Sequence, residues 1–255
     1  CYGLGGSLGE GCVGHGDSPH IHIYINCVFL YSEIVKGLHI GTPDRRYDAM
    51  ESHVNDQSPP RIGEPAPDFV ARSTKGQFQL SALRGRWTIF FSHPADFTPV
   101  CSTEFVALAR QREAFAALDC QLVGLSVDSL YAHIAWARAL ESLFGVTIDF
   151  PVIEDPTMAI GRAYGMIGAD ATDSMAMRTT FFIDPAGIIR ATTCYPHNVG
   201  RSADEMLRLL RALQRVDGSD RLTPEGWEPG RPVLLPPDDR PGDAADWFCR
   251  FEADE

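Results

Sequence analysis

From about Ile62 onward, the chain alternates short apolar runs with longer segments whose apolar residues recur every three to four positions. The short runs predict buried strands, and the longer segments predict amphipathic helices. The predicted strands are residues 87–92, 121–127, 150–153, 179–183 and 188–193, and the predicted helices are residues 100–118, 129–144, 157–164 and 202–216. Strands that alternate with helices predict an α/β fold, with helices packed on the faces of a sheet.

The two ends of the chain differ from this regular region. Residues 1–49 begin at Cys1 with a Gly-rich run, and the polar stretch that follows Met50 is typical of the start of a domain. Residues 217–255 contain six prolines and show little periodicity. We therefore expect an N-terminal extension of doubtful origin at 1–49, one α/β domain at 50–216, and a C-terminal arm or small subdomain at 217–255.

Charge and cysteine content narrow the range of partners. The formal net charge is -12, and an acidic surface repels phosphate backbones and anionic lipids, so neither a nucleic-acid nor a membrane partner is expected. The seven cysteines are widely spaced and include no CxxC pair, which predicts neither a disulfide framework nor a zinc site. This pattern fits a reducing compartment, and we expect the protein to be cytoplasmic.

The chemically informative segment lies where the strand at 87–92 gives way to a helix. Pro99 suits the first turn of a helix, so Cys101 falls in that turn as well. Unpaired N–H groups and the positive end of the helix dipole there favour the thiolate, which is the nucleophilic form. The alternative is a cysteine that packs as a small hydrophobe. The rigid Pro94–Thr98 loop at a strand end favours a reactive sulfur, which we expect to be open to a small oxidant.

The spacing Pro94-x-x-x-Thr98-x-x-Cys101 resembles the signature of the peroxiredoxins, and the stretch from Ser92 to Glu104 is similar to their 1-Cys (peroxiredoxin 6) subfamily. The resemblance extends over about residues 62–250. It implies a thioredoxin-like fold, with a central mixed sheet flanked by helices and an extended C-terminal arm. It also implies a thiol-specific peroxidase that reduces hydrogen peroxide and organic hydroperoxides, with no metal, haem or flavin cofactor.

The resemblance also implies a role for each matching position. Cys101 would attack the peroxide and become a sulfenic acid. Thr98 would hydrogen-bond the thiolate and the peroxide, and Pro94 would shield the pocket. Arg178 would lie beside the thiolate and stabilise charge on the departing oxygen. The alternative for Arg178 is an ordinary solvated arginine.

Three further positions match the family. His93 corresponds to the subfamily histidine near the active sulfur, although it could equally be a hydrogen-bonded histidine at a strand end. Glu104 and Arg201 are implied to form a pair that holds the site together without reacting. The alternative for this pair is a surface salt bridge, which would contribute only about 0–1 kcal/mol.

A second cysteine would decide how the sulfenic acid is reduced. Cys249 is the candidate resolving residue, because its surroundings are similar to the C-terminal stretch of archaeal thioredoxin peroxidases. In those proteins the second cysteine resolves the sulfenic acid of the partner subunit. This similarity implies a homodimer or higher oligomer that is reduced by thioredoxin, whereas glutathione or another small thiol would serve if Cys249 were only structural. Cys120 and Cys194 lie at or in predicted strands, so we expect both to be core residues.

Two other function classes remain open at this point. The first is a thioredoxin-fold protein disulfide oxidoreductase, which the missing CxxC pair disfavours. The second is a holdase chaperone or redox-sensing partner built on the same scaffold.

Overall fold

The computed structural model describes residues 58–237 and 248–254. Within these ranges the chain forms one seven-stranded sheet and one two-stranded sheet. The strands are β1 (Val70–Ser73), β2 (Gly76–Gln79), β3 (Trp87–Ser92), β4 (Cys120–Ser126), β5 (Val152–Glu154), β6 (Arg178–Ile183), β7 (Ile189–Tyr195), β8 (Val233–Leu234) and β9 (Phe251–Glu252). The helices are α1 (Pro99–Arg110), α2 (Arg112–Ala117), α3 (Leu130–Phe144), α4 (Ala159–Ala163) and α5 (Ala203–Val216).

The large sheet is mixed, with the order β2-β1-β5-β4-β3-β6-β7. Strand β4 runs parallel to β3 and to β5, whereas the remaining neighbours pair antiparallel. Every residue of β3 is buried, as expected for a central strand covered on both faces. The carboxyl end of β3 leads through a short loop into α1, so the chemically informative segment lies beside the middle of the sheet.

Side chains that alternate along β3 pack into two separate apolar clusters. Phe91 points towards one cluster with Phe105 of α1 and Leu210 of α5. Phe90 points towards the other, where it contacts the ring of Tyr164 at a centroid separation of 4.9 Å. Successive side chains of a strand point to opposite faces, so β3 anchors both halves of the core.

The helix starts agree with the sequence pattern, but one predicted helix is divided. Ser129 and Ser202 cap α3 and α5, and their hydroxyls accept the amide hydrogens of Ala132 and Glu205. The single helix predicted over 100–118 instead ends and restarts at Gln111. The amide of Gln111 is shared between the carbonyls of two residues in the preceding turn, which is common where a helix tightens at its end.

The sequence pattern did not predict two antiparallel strand pairs: the β1–β2 hairpin near the start of the described residues, and β8 with β9 in the C-terminal arm. In the arm, Trp227 is buried and clusters with Ala212 of α5 and Val233 of β8. The predicted extension at 1–49 lies outside the described residues, and the predicted domain limits stay a prediction. Among the helices of the described ranges, none combines the length and the apolar character that a membrane span requires.

Candidate active site

The loop between β3 and α1 places Cys101 in the first turn of the helix, as predicted. Thr98 is the N-cap residue in an extended conformation, and Pro99 is the first helical residue. Phe97 adopts a left-handed backbone conformation, with φ of 58°, which turns the chain sharply into the helix. Pro94 is buried at the start of this loop.

The immediate surroundings of the Cys101 sulfur differ from the prediction in two respects. The Cys101 side chain is fully buried, whereas we expected it to be open to a small oxidant. Cys101 belongs to the apolar cluster that α1 forms with the sheet, and the buried Arg178 side chain contacts its sulfur, which accounts for this burial. In addition, the Thr98 hydroxyl donates its hydrogen to the carbonyl of Ala95 at 2.9 Å, so that hydrogen is directed away from the sulfur.

Arg178, the first residue of β6, contacts the sulfur directly. Its Nη1 donates to Cys101 Sγ at 3.3 Å, and the whole side chain is only 2 % exposed. Two further hydrogen bonds, from Nε and Nη2, reach the carbonyl of His197 at 3.1 and 2.7 Å. The guanidinium is therefore fixed from both sides, which rules out the alternative of a solvated arginine.

Glu104 connects Arg178 to Arg201. One carboxylate oxygen of Glu104 accepts from Arg178 at 2.8 Å and from Arg201 at 2.9 Å, and the other accepts the backbone and side-chain N–H groups of Arg201. Burial opposes ionisation of Glu104, but the hydrogen bonds and charge of Arg201 outweigh it and lower the pKa of that carboxyl. The side chains of Glu104 and Arg201 are 3 and 4 % exposed, so this is a buried network and not the surface salt bridge of the alternative.

His93 lies in a second buried cluster, together with two residues that sequence reasoning missed. Its Nε2 lies 2.9 Å from Asp96 Oδ1, and Asp96 Oδ2 lies 2.8 Å from Nδ1 of His133 on α3. The nitrogen and oxygen atoms that these three side chains offer all lie within 4.8 Å of one another. Asp96 follows His93 by three residues, and His133 interrupts the apolar face of α3. A polar residue on an otherwise apolar helix face was the available signal for His133.

The three other cysteines of the described residues lie in different environments. Cys120 is buried, and burial raises the pKa of its thiol to about 12, as expected for an unreactive core residue. Cys194 is exposed on β7, so the prediction that it is a core residue was wrong. The reason is that β7 is an edge strand of the sheet, and towards its end partly buried and exposed side chains alternate. Cys249 is exposed just before β9, and its proposed role stays a prediction.

Comparison with known proteins identifies relatives of this chain. The model of the AhpC/TSA family matches residues 62–192. Peroxiredoxin 2 of Caldanaerobacter subterraneus is 48% identical over 178 residues, which cover 70% of this chain and 80% of that protein. Peroxiredoxin 2 of Thermoplasma acidophilum is 40% identical over 200 residues, which cover 74% of this chain and 99% of that protein.

Solved structures agree with these relatives. A yeast mitochondrial 1-Cys peroxiredoxin superposes with a TM-score of 0.70 at 33% identity, covering 76% of this chain and 99% of that one. A cysteine mutant of the peroxiredoxin 6 of Arenicola marina gives a TM-score of 0.69 at 28% identity, covering 76% and 97%. The predicted thioredoxin-like fold is thereby confirmed, and the alternatives of a disulfide oxidoreductase or a holdase gain no better support.

Proposed function

Because the chain belongs to the AhpC/TSA family of peroxiredoxins and is a thiol-dependent peroxidase, we propose that Cys101 is the residue that attacks the peroxide. The observation that carries this proposal is the 3.3 Å contact between Arg178 Nη1 and Cys101 Sγ inside the protein. Of the four cysteines in the described ranges, Cys101 has both a helix start and a buried guanidinium beside it.

The charges of the buried network support ionisation of this sulfur. Arg178 and Arg201 bring two positive charges, and Glu104 supplies one negative charge. One positive charge therefore stays uncompensated as long as Cys101 carries its proton. An uncompensated buried charge is unfavourable, so the network favours the Cys101 thiolate, which completes the balance.

The reaction then follows from the geometry. The thiolate of Cys101 attacks one oxygen of the peroxide, an S–O bond forms and the O–O bond breaks. The sulfur is oxidised by two electrons to a sulfenic acid, while the other oxygen leaves as hydroxide or alkoxide and takes up a proton. Arg178 is held ready to stabilise negative charge on the departing oxygen, since a preformed donor need not reorganise during the reaction. Because the sulfur is buried, we infer that peroxide enters by a shift of the Pro94–Thr98 loop, where Thr98 is only half-buried.

The supporting residues divide into two groups in this proposal. Pro94 and Thr98 shape the loop above the sulfur, and Thr98 can orient a peroxide once its hydroxyl leaves the Ala95 carbonyl. Glu104 and Arg201 fix Arg178 without touching the peroxide. His93 packs against the α1 side of the site.

For the reductive half of the cycle, we propose that Cys249 attacks the sulfenic acid of a partner subunit in a homodimer. A disulfide forms and water leaves, and thioredoxin or a small thiol then reduces the disulfide. The exposure of Cys249 supports this assignment, because a resolving thiol must reach its target and then its reductant. The reducing conditions that such a reductant needs are those of the cytoplasm, where we place the protein.

Peroxide consumption in Cys101→Ser tests the central assignment, with Cys194→Ser as the matched control, because the exposed Cys194 sulfur accepts a hydrogen bond from the Thr179 hydroxyl and from neither Arg178 nor Arg201. We expect Cys101→Ser to lose activity and Cys194→Ser to keep it. Full activity in Cys101→Ser would exclude Cys101 as the attacking residue.

A further inference from the structure

Next to the active site lies a buried chain of three side chains that take no part in the bond-making steps described above. His93, Asp96 and His133 are 0, 7 and 1 % exposed, and Asp96 bridges the two imidazoles through its two separate oxygens. The far ring nitrogen of His133, Nε2, faces the backbone carbonyl of Ile153 at 3.1 Å.

The partners of His133 fix where its protons must be. A backbone carbonyl can only accept a hydrogen bond, so Nε2 of His133 has to carry a proton. Nδ1 faces Asp96, and an ionised carboxylate also only accepts. Both ring nitrogens of His133 therefore donate, and His133 is an imidazolium paired with the Asp96 carboxylate.

The surroundings support an ionised Asp96. Burial opposes its ionisation, but the hydrogen bonds from His133 and His93 outweigh burial and lower the pKa of Asp96. The backbone N–H of Asp96 also donates to the Asp128 carboxylate at 2.9 Å, which fixes the loop residue that carries the Asp96 side chain.

The same logic sets the tautomer of His93. Its Nε2 faces the Asp96 carboxylate and must donate, whereas its Nδ1 is buried and has no hydrogen-bond partner among the described residues. Burial lowers the pKa of His93 and outweighs the opposing effect of Asp96, so this ring stays neutral. Nδ1 is therefore a bare lone pair inside the protein.

This bare nitrogen belongs to a ring that packs on the helix carrying the nucleophile. The His93 ring lies 4.8 Å from the ring of Phe105 and stacks on Trp136 at 5.3 Å. Phe105 is one helical turn beyond Cys101 and therefore lies on the same side of α1. Trp136 also donates to Ser102, the residue after Cys101, at 3.3 Å.

The distances in this cluster are those of hydrogen bonds and not of metal ligation. The two N–O contacts of 2.9 and 2.8 Å are ordinary for N–H···O bonds. Two ligands of one tetrahedral zinc ion would lie about 3.3 Å apart, given metal–ligand bonds of about 2.0–2.1 Å. Protons therefore account for the geometry better than an ion does.

We propose that His133 is a positioning residue of the peroxidase. As a buried imidazolium it holds Asp96 ionised, and Asp96 fixes His93 in the tautomer with a bare Nδ1. This fixed ring packs against α1, the helix that carries Cys101. The inference rests on the proposed function of Cys101, but it concerns a proton arrangement that exists in the resting protein.

Long-range ¹H–¹⁵N correlation spectra of the histidine rings in the reduced full-length protein test the proton arrangement directly. At neutral pH we expect both nitrogens of His133 to carry protons, and His93 to carry one on Nε2 alone. A His133 ring with one bare nitrogen would overturn the proposal, whatever the activity of Cys101→Ser.

Single-turnover oxidation by hydrogen peroxide tests the role of this arrangement. His133→Leu removes one of the two imidazole donors to Asp96, so Asp96 no longer holds the His93 ring in one tautomer, and we expect the rate to fall roughly tenfold. His133→Asn keeps an amide donor near the position of Nδ1, and we expect it to restore most of the rate and the His93 tautomer.

Leu140→Ala on the same helix is the matched control. Leu140 is equally buried but contacts neither histidine through a hydrogen bond, so the variant should lower the melting temperature and leave both the rate and the ring spectra unchanged. A wild-type rate in folded His133→Leu, or a rate loss in Leu140→Ala as large as in His133→Leu, would overturn the positioning role. If His133→Leu does not fold, the rate of His133→Asn relative to wild type decides, and a loss of roughly tenfold in His133→Asn contradicts the proposal.

Discussion

Cys101 and Cys249 lie in regions that are held together by different kinds of contact. Beside Cys101, Arg178 and Glu104 form an ion pair whose side chains are 2 and 3 % exposed. Around the C-terminal arm, the corresponding contacts are the two-residue ladder of β8 and β9 and partly exposed ion pairs such as Arg221–Glu252, at 29 and 44 %. One region is fixed by buried charge, and the other is attached through a small apolar cluster around Trp227 and through partly exposed ion pairs.

This difference matches the two halves of the proposed cycle. Attack on a peroxide needs a guanidinium at a fixed distance from the sulfur, and a buried network supplies that precision. Resolution needs a thiol that changes place between its target and its reductant. Exposed ion pairs contribute about 0–1 kcal/mol each, so they can be broken during such a movement. The contrast can be tested region by region.

The largest effect is expected from Glu104→Gln. This change leaves the buried guanidiniums of Arg178 and Arg201 without their carboxylate, and removal of one partner of a buried pair costs about 3–5 kcal/mol. Urea denaturation measures the loss in the free energy of unfolding. Glu113→Gln, on the exposed side of α2, is the control and should be neutral. A loss in Glu104→Gln as small as in the control would show that the network is not structural.

Wild type and Glu104→Gln should also differ in how their stability depends on pH. The pKa of Glu104 is lowered in the folded state from its ordinary value of 4.5. A lowered pKa gives stability that is present above the ordinary value and is lost as the pH falls through the folded-state value. Wild type should therefore lose stability below about pH 4.5 more steeply than Glu104→Gln. Parallel curves would contradict the lowered pKa.

The next effect is expected from Arg178→Lys. A lysine ammonium keeps the charge but cannot contact the Cys101 sulfur, Glu104 and the His197 carbonyl at once, since it lacks the planar guanidinium fork. We expect the rate of the first oxidation to fall about 100-fold, as when one preformed donor is removed from an active site. Stopped-flow measurement of the reaction with peroxide gives this rate. Arg190→Lys, at a partly exposed arginine, is the control and should react at the wild-type rate.

Cys249→Ser should separate the two halves of the cycle. The first oxidation of Cys101 should keep its wild-type rate, because Cys249 is not in the buried network. Turnover with thioredoxin should drop, and a dimer-sized band on a non-reducing gel should be absent after one equivalent of peroxide. If the band persists, another cysteine resolves the sulfenic acid. If no band forms even in wild type, an external thiol reduces it.

The smallest effect is expected from Arg221→Ala in the arm. It removes the partly exposed ion pair with Glu252, and the free energy of unfolding should change by no more than about 1 kcal/mol. Urea denaturation of Arg221→Ala and Glu104→Gln under the same conditions compares the two regions by their loss in the free energy of unfolding. A loss in Arg221→Ala that equals the loss in Glu104→Gln would remove the contrast between them.

Local patterns were enough to predict much of the fold and the position of Cys101. The buried strand β3, the positions of α3 and α5 and the proline at the start of α1 all follow from short stretches of sequence. The β1–β2 hairpin was missed because its strands are four residues long and largely polar, so their pairing depends on the sheet beside them.

Contacts between distant parts of the chain could not be derived from local pattern. Arg178 and Arg201 were identified by family resemblance, and their burial depends on Glu104 lying more than 70 residues away along the chain. The hydrogen bond between His133 and Asp96 requires α3 to pack beside the loop after β3, which no local signal specifies. The burial of Cys101 likewise depends on the apolar cluster of α1 and the sheet and on Arg178, which lies 77 residues further along the chain.

The most direct test of the account is to locate the oxidised sulfur after one equivalent of hydrogen peroxide. The reduced protein is treated in the presence of a sulfenic-acid trap, and peptide mass spectrometry assigns the label to a cysteine. We predict that the label lies on Cys101 in wild type and is strongly reduced in Arg178→Lys at the same reaction time. A label on another cysteine while Cys101 stays reduced, or equal labelling of Cys101 in both proteins, would contradict the claim that the buried guanidinium activates this sulfur.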